Sequence, residues 1–410
     1  MRCLIAVSEE TMLNRRSFLQ KSARLFGGAV AMPWVLTSAH ARGEDGEEKR
    51  MGKGLKGDSG SEVILPRFEV SGTNYEIGHK IGKRFGENIR EGLRRRRKWF
   101  SGLKAVAEGD FARQFRGCVA AAKKHFPQFV DEIRGWADGA GVSFEDLMVI
   151  NMWAELTAMK RSRGEGGCST IALNDGKRMI LAHNEDGSAA YKGLMFWLKA
   201  KCRGAKSFQC LCYPGLVPGN SPGFNDAGII QTTNYIPASE WRVGIPRYIL
   251  NRAIFDAGTL AEAVKTATHP ERGYGNHHNL ASLRERRILS LEVTPSTHEV
   301  HEVQGVYFHT NHLILSSMKD QPQFPGKSSL TRHAVLARET ADWKEARNVR
   351  VSDIVGALSS HERKPNSVCR HAAGHTGGAT LGTAVFEIPK GTVRLYHSNP
   401  CEGKFTVGRL

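Results

Sequence analysis

The sequence predicts a layered α+β fold, and three observations support that prediction. Up to about residue 158 the apolar residues recur mostly with helical spacing, and after Cys168 the pattern changes to that of strands. A helical pair then interrupts the strands, and a second helical region precedes the last strands. Helices, sheet, helices and sheet in this order are typical of packed layers. A chain of 410 residues, 40% of them hydrophobic, can also bury a large core.

The N-terminal residues have the pattern of an export signal. Residues 14–20 (Asn-Arg-Arg-Ser-Phe-Leu-Gln) form a twin-arginine motif, residues 26–36 are weakly apolar, and Ala39-His40-Ala41 has the small-x-small form of a cleavage site. The apolar run is shorter than the roughly 20 residues that a spanning helix needs. We therefore expect a signal peptide over 1–41, a flexible linker over 42–62, and a periplasmic protein without a membrane span, exported by the twin-arginine machinery.

The chain is strongly basic, with 58 Lys and Arg against 41 Asp and Glu and a formal charge of +17. Such a charge favours anionic partners in general but indicates no specific nucleic acid. The densest basic run is Arg94 to Lys98. A like-charged run on a helix is usually a solvated face, but it leaves open a non-catalytic envelope protein that binds anionic polymers.

Residues 63–167 are predicted to form a small, mostly helical segment. A strand over 63–70 leads into a helix in which glycines at 78, 82 and 86 keep one side small, and this predicts close packing against another backbone. Helices follow near 110–124 and 127–139, and a capping box that starts at Ser143 opens one more.

Residues 168–410 are predicted to form the large segment. It begins with a hairpin over 168–184 that turns at Asn174 to Lys177. If those two turn residues pair, Cys168 lies opposite His183, and Asp186 approaches the thiol. The later elements are strands near 195–202, 208–213, 223–234, 289–293, 306–312, 380–388 and 392–397, a helical pair over 246–268 broken at Gly258, and helices near 329–347 and 351–360.

The stretch Glu165-Gly166-Gly167-Cys168 suggests a nucleophile at the tip of a strand. A cysteine needs thiolate character to attack a carbonyl, and the base is either a nearby histidine or the α-amine freed by cleavage before the cysteine. The residues alone leave both mechanisms open. Removing the leader leaves seven cysteines, an odd number that predicts a free thiol, and we assign it to Cys168. Cys202, Cys210 and Cys212 could bridge a hairpin.

Several motifs together resemble the penicillin acyltransferase family, the isopenicillin N acyltransferase-like branch of the N-terminal-nucleophile hydrolases. The match spans about residues 63–410. Its motifs are Gly72 to Gly78, Gly167-Cys168-Ser169, Asn184-Glu185-Asp186, Asn225 to Gly228 with Thr233-Asn234, His309 to His312, and Asn399 to Glu402. The resemblance implies a four-layer αββα sandwich made as a precursor that cleaves its own Gly167–Cys168 bond, so that the small and large segments remain together as a heterodimer.

The resemblance also implies residue roles. Cys168 would be the nucleophile and, through its amine, the base, with Asp186 orienting that amine. Asn311 would contact the oxyanion or the amine, and Asn234 is a weaker candidate for a second donor. Arg332 could bind a substrate carboxylate with both arms of its guanidinium. Gly187, where the family often has an aromatic residue, leaves the substrate specificity open.

The predicted activity is hydrolysis or acyl transfer at an N-acyl amide bond of a small molecule or peptide, without a cofactor. A histidine-rich set at positions 277, 278, 309 and 312 lacks supporting carboxylates or thiols, so no metal is predicted. The alternatives are an unprocessed thiol hydrolase that pairs Cys168 with His183 or His309, and the non-catalytic basic protein.

Overall fold

Helices form where the sequence provides caps and an apolar stripe. The computed structural model describes residues 65–161, 167–343, 348–372 and 374–410, so the predicted signal peptide and linker lie outside the described residues. The described helices are α1 (Asn74–Arg95), α2 (Arg97–Glu108), α3 (Ala112–His125), α4 (Pro127–Ala140), α5 (Phe144–Asn151), α6 (Trp153–Met159), α7 (Arg247–Ile254), α8 (Leu260–Ala267), α9 (Lys327–Glu339) and α10 (Val351–Leu358).

The strands form two sheets. Sheet A contains, in spatial order, β1 (Arg67–Gly72), β4 (Phe196–Cys202), β5 (Phe208–Cys212), β6 (Gly223–Asn225), β7 (Ile229–Asn234), β8 (Asn276–Ser282), β9 (Arg287–Val293) and β10 (His298–Glu302). Sheet B contains β11 (Gly305–His309), β2 (Ser169–Asn174), β3 (Met179–Ser188), β12 (Gly378–Glu387), β13 (Thr392–Tyr396) and β14 (Phe405–Arg409). The pairing of β1 with β4 is parallel, and the other pairings are antiparallel.

The inner faces of the two sheets pack against each other. The rings of Phe224 in sheet A and Phe386 in sheet B lie 6.4 Å apart, edge to face. Leu211 and Leu181 join them in one buried cluster. Since successive side chains of a strand point to opposite faces, the remaining apolar residues of each strand need a second covering layer.

Helices provide that layer on both sides. On the outer face of sheet B, Leu173 packs in one cluster with Leu336 of α9 and Ile354 of α10. On the outer face of sheet A, Leu280 packs with Ile254 of α7, and Phe196 stacks on Phe85 of α1 at 3.8 Å. The order is therefore helices, sheet, sheet and helices, which confirms the predicted four-layer αββα sandwich.

The glycines of α1 allow the close helix packing that the sequence predicted. A Cβ atom on Gly78 would collide with the backbone oxygen of Glu132 in α4, and one on Gly82 would collide with that of Trp136. Gly135 and Gly139 of α4 approach the α1 backbone in the same way. The two helices meet backbone to backbone, which only glycine permits.

The predicted caps at Ser143 and Thr259 are present, since their side chains accept from the amides of Asp146 and Glu262. The elements that were not predicted include α2, β10 and the last strand β14. Helix α2 begins inside the basic run, whose charges masked its apolar spacing. None of the described helices combines the length and apolar character needed to cross a bilayer.

Candidate active site

Cys168 lies immediately before β2, between the two sheets. It is 6% exposed. Its Sγ atom lies 3.9 Å from Oε1 of Glu185 and 3.7 Å from the backbone oxygen of Asp186. Burial, followed by the charges of these two acids, raises the pKa of the Cys168 thiol well above its usual value. The thiol of the intact chain is therefore protonated and needs a base before it can attack a carbonyl.

The predicted hairpin is present, but its predicted register is wrong by two residues. Ser169 pairs with Asn184 and Thr170 with His183, so Glu185, rather than His183, falls opposite Cys168. The turn is longer than predicted because the Asp175 carboxylate accepts from the backbone amides of Lys177 and Arg178. A shift by an even number of residues keeps each side chain on its predicted face.

Asp186 lies beside the Gly167–Cys168 bond. Its Oδ1 accepts from the Thr380 hydroxyl at 2.7 Å. Its Oδ2 is buried without a hydrogen-bond partner among the described residues, and a Cβ atom on Gly167 would lie 3.5 Å from it. Burial raises the pKa of Asp186 to about 7, although the nearby Arg370 and Arg332 cations oppose the shift. A carboxyl group with this pKa can accept or release a proton near neutral pH.

Arg332 is the structural centre of the site. Its Nη1 donates to the backbone oxygen of Cys168 at 2.5 Å and to the Ser169 hydroxyl at 2.9 Å. Its Nη2 donates to Oδ1 of Asn311 at 2.7 Å. Burial lowers the pKa of Arg332 to about 10, which leaves it a cation at neutral pH. The buried guanidinium already donates to the Cys168 carbonyl and to Asn311. The predicted contact of Arg332 with a substrate carboxylate would require these hydrogen bonds to break.

Asn311 and Asn234 lie in different parts of the site. The side-chain amide of Asn311 donates to the backbone oxygen of Tyr235 at 2.9 Å, and its backbone amide donates to Ser329. Asn311 thus joins the group around Cys168. Asn234 lies behind it, where its Oδ1 accepts from Thr170, and its buried Nδ2 has no partner among the described residues. The structure brings Cys168, Asp186, Asn311 and Arg332 together and leaves Asn234 behind them.

The sequence analysis assigned no role to Glu185, Tyr213, Arg370 and Thr380. Tyr213 donates to Oε1 of Glu185 at 2.8 Å, and the same carboxylate lies 3.5 Å from Nε2 of His183. Two consecutive acidic residues, Glu185 and Asp186, lie at the end of a predicted strand. This pattern could have indicated that Glu185 belongs to the site. Arg370 reaches Gly167 from a loop about 200 residues away, and nothing in its local sequence indicates that contact.

A cavity of about 270 Å³ opens at Cys168, Gly167 and Asp186. Its walls combine aromatic and basic side chains, namely Arg96, Lys98, Trp99, Trp153, Lys160, Tyr191, Tyr213, Tyr235, Arg247 and Tyr248. A second cavity of about 340 Å³ is bordered by Asn311, Ser329 and Arg370. Gly167 lines both cavities, so the residue before the nucleophile stands between them.

The space beside Gly187 is occupied by the side chain of Tyr213, which follows β5. A Cβ atom there would lie 2.5 Å from the Tyr213 hydroxyl and 2.9 Å from Leu381. Tyr213 therefore fills the space where an aromatic residue at position 187 would project, which accounts for this departure from the family pattern.

Two of the four histidines considered as metal ligands, His277 and His309, are part of a buried polar network. The rings of His277 and His309 stack at 3.4 Å. His309 contacts Glu292 through Nε2, and His277 contacts Asn234 and Ser290 through its two nitrogens. With these nitrogens engaged, the pair is a satisfied buried network.

The basic run at 94–98 is largely paired. Arg94 and Arg95 both form ion pairs with Glu91, and Arg95 also donates to the backbone oxygen of Ala190. The Arg96 guanidinium lies 3.4 Å from the centre of the Trp99 ring, at the wall of the first cavity. Three residues of the run are therefore engaged with neighbouring groups, while Arg97 and Lys98 are exposed.

The chain is similar to several known proteins. The family of acyl-coenzyme A:6-aminopenicillanic acid acyl-transferase matches residues 173–402, more than half of the chain. The chain is 26% identical over 377 residues to the β-alanyl-dopamine/carcinine hydrolase of Drosophila melanogaster, covering 83% of this chain and 96% of that protein. It is 22% identical over 343 residues to the 40 kDa form of the acyl-coenzyme A:6-aminopenicillanic-acid-acyltransferase of Emericella nidulans. That match covers 82% of this chain and 94% of that protein. Among solved structures, a mutant of the conjugated bile acid hydrolase of Clostridium perfringens superposes with a TM-score of 0.41 and 11% identity, over 59% of this chain and 92% of that one.

Proposed function

Because the chain belongs to the acyl-coenzyme A:6-aminopenicillanic acid acyl-transferase family, we propose that it is a self-processing cysteine amidohydrolase or acyltransferase. The coarser assignment, an amide hydrolase or acyltransferase of the N-terminal-nucleophile type, follows from the family and its relatives. This assignment replaces the non-catalytic alternative. The finer claim is that Cys168 becomes the N-terminus of the large segment and forms the acyl-enzyme.

The position of Asp186 against the Gly167–Cys168 bond is the observation that carries this proposal. In the proposed scission, the Cys168 sulfur attacks the Gly167 carbonyl carbon and the carbon–nitrogen bond breaks. The thiol proton passes by way of Asp186, whose pKa is about 7, to the departing amine. Water then hydrolyses the thioester and leaves a Gly167 carboxylate together with the free amine and thiol of Cys168.

The new amine is the base of the mature enzyme. Its ordinary pKa is about 7.7 to 8.0, so it can accept the thiol proton near neutral pH. Asp186 holds this amine, and Arg332 fixes the Cys168 carbonyl and Asn311. The Asn311 amide stabilises the oxyanion that develops when the thiolate attacks a substrate amide. The acyl group then passes from Cys168 to water or to an acceptor amine.

The cavity at Cys168 supports a small-molecule or peptide N-acyl amide as the substrate. Arg247 lines this cavity, and its guanidinium lies 5.4 Å from the centre of the Trp153 ring. The Nε atom of Arg247 is buried without a partner among the described residues, while Nη1 and Nη2 bind Asn276 and Asn220. We assign to this Nε–H the contact with a substrate carboxylate or carbonyl that the sequence analysis assigned to Arg332.

One observation favours an alternative mechanism without scission. The ligand atoms of Cys168, His183 and Glu185 all lie within 4.8 Å of one another. In an unprocessed enzyme, His183 would accept the thiol proton, the Thr170 hydroxyl would orient the imidazole, and the Glu185 carboxylate, 3.5 Å from Nε2, would stabilise the imidazolium. The buried Nδ1 of His183 already contacts the Thr170 hydroxyl at 2.8 Å, so Nε2 would have to serve as the base.

The mass of the purified large segment tests the proposal. We expect a fragment that begins at Cys168, and no cleavage or turnover in Cys168→Ala. The control is Cys118→Ala, a buried cysteine of α3, which should be cleaved and active. An intact chain that hydrolyses amides would contradict scission and favour the Cys168 and His183 pair.

Export belongs to the same proposal. The twin-arginine motif lies outside the described residues, and we propose that it directs the folded, processed protein to the periplasm. Fractionation of cells that produce the wild type and a variant with Arg15→Lys and Arg16→Lys tests this. The wild type should be periplasmic and the variant should remain in the cytoplasm, and equal distribution of the two would contradict the proposal.

A further inference from the structure

Four potential metal ligands converge at the surface near the C-terminus. They are His361 after α10, Cys369 and His371 in the following loop, and Cys401 near the chain end, and their ligand atoms all lie within 4.8 Å of one another. The sulfur atoms of Cys369 and Cys401 are 3.6 Å apart. Nε2 of His371 lies 3.2 Å from Nε2 of His361 and 3.2 Å from Sγ of Cys401.

These separations match the edges of one coordination tetrahedron. Zinc binds sulfur at about 2.3 Å and imidazole nitrogen at about 2.0 to 2.1 Å, so a tetrahedral site has sulfur–sulfur edges of about 3.8 Å, sulfur–nitrogen edges of about 3.6 Å and nitrogen–nitrogen edges of about 3.4 Å. The distance from Cys369 to His371, 3.6 Å, fits the second value. The other three distances lie within about 0.4 Å of the expected edges.

We propose that His361, Cys369, His371 and Cys401 bind one zinc ion in a closed structural site. Two thiolates and two neutral imidazoles balance the charge of Zn²⁺ and fill its four positions, which leaves no site for substrate. This proposal departs from the sequence-based expectation that no metal is bound. That expectation considered a different set of histidines.

The surroundings of the thiols fit metal thiolates better than a disulfide. The Asn399 side chain donates to Sγ of Cys369 at 3.2 Å and to the backbone oxygen of Arg370 at 2.9 Å, as outer-shell donors to metal ligands do. A disulfide between Cys369 and Cys401 would require the sulfurs to approach to about 2.0 Å and would leave the convergence of two imidazoles unexplained.

The proposed ion would fix a residue of the active site. Arg370 stands between two of the ligands, and its guanidinium lies against Gly167, where a Cβ atom would collide with it. Its backbone amide donates to the Thr380 hydroxyl at 2.9 Å, and that hydroxyl donates to Asp186. Zinc would therefore hold Arg370 and Thr380 in place beside the Gly167–Cys168 bond.

Metal analysis of the full-length protein tests the site without reference to activity. Protein produced with zinc in the medium should contain one zinc ion per chain after dialysis. Protein loaded with cobalt should show the visible absorption bands of a tetrahedral ion with thiolate ligands. In Cys401→Ser the zinc content should fall at least tenfold. His375→Ala, which removes an exposed histidine from the same loop, should keep one ion per chain.

Three results would overturn the proposal. They are wild-type protein without zinc, a Cys369–Cys401 disulfide in the non-reduced peptide map, and a full zinc content in Cys401→Ser. Because the metal content is measured on wild-type protein as well, a variant that fails to fold does not decide the question. The result is also independent of whether the chain cleaves itself.

Discussion

Asp186→Asn should stabilise the unprocessed chain, and this effect should depend on pH. Burial raises the pKa of Asp186 from 3.8 to about 7 in the fold. A carboxyl group with a raised pKa contributes stability that is fully present below about pH 4 and is lost as the pH rises to about 7. A shift of about 3 units corresponds to about 4 kcal/mol, or about 1.4 kcal/mol for each pH unit in that window. Asparagine does not ionise, so the variant does not lose this stability.

Equilibrium urea denaturation measures this effect, with Cys168→Ala as the background so that neither protein is cleaved. The free energy of unfolding should be higher in Asp186→Asn by about 1.5 kcal/mol at about pH 5 and by about 4 kcal/mol at about pH 8. Asp175→Asn is the control, in which the change in the free energy of unfolding should have the opposite sign. Although burial opposes its ionisation, hydrogen bonds from Arg178 lower the pKa of Asp175, so its loss should destabilise the fold at neutral pH. A pH-independent difference, or an Asp186→Asn variant less stable at about pH 8, would refute the reasoning.

Three further predictions concern the oxyanion, the helix contact and a buried ion pair. Asn311→Ala should lower kcat by about 10² to 10³, with little change in KM, in steady-state kinetics of the processed enzyme; an unchanged kcat would exclude the oxyanion role. Gly78→Ala should destabilise the fold by about 1 to 3 kcal/mol because its Cβ meets the backbone of α4, whereas Gly102→Ala on α2 has open space and should stabilise it by up to about 1 kcal/mol; equal urea midpoints would refute the contact. Glu132→Gln should cost about 3 kcal/mol because the fully buried Arg252 loses its 3.0 Å ion pair and keeps the 3.4 Å contact with Asp256; denaturation that matches the wild type would show that Asp256 alone compensates this guanidinium.

Local signals in the sequence predicted the elements that depend on local chemistry. Ser143 and Thr259 marked helix starts because their hydroxyls satisfy amides only three residues away. The Asp175-Gly176 turn placed the hairpin and brought Asp186 near Cys168. The exact register was not predictable from the turn residues, because the Asp175 side chain lengthened the loop.

The sequence did not predict contacts between segments that are far apart along the chain. Arg332 reads as a surface residue of a helix, yet it is buried because Cys168, Ser169 and Asn311 supply acceptors from two other elements. Arg370 gave no signal, since its role depends on where its loop meets Gly167. The four proposed zinc ligands are likewise spread over 41 residues, from 361 to 401, without a paired-cysteine motif.

The central claim is that the Gly167–Cys168 bond breaks and that Cys168 becomes a chain end. The most direct measurement is the intact mass and N-terminal sequence of the wild-type protein, taken on the same preparation that is assayed for amide hydrolysis. The account predicts two polypeptides that copurify, the larger one beginning Cys168-Ser169-Thr170. A single uncleaved chain with full activity would contradict it.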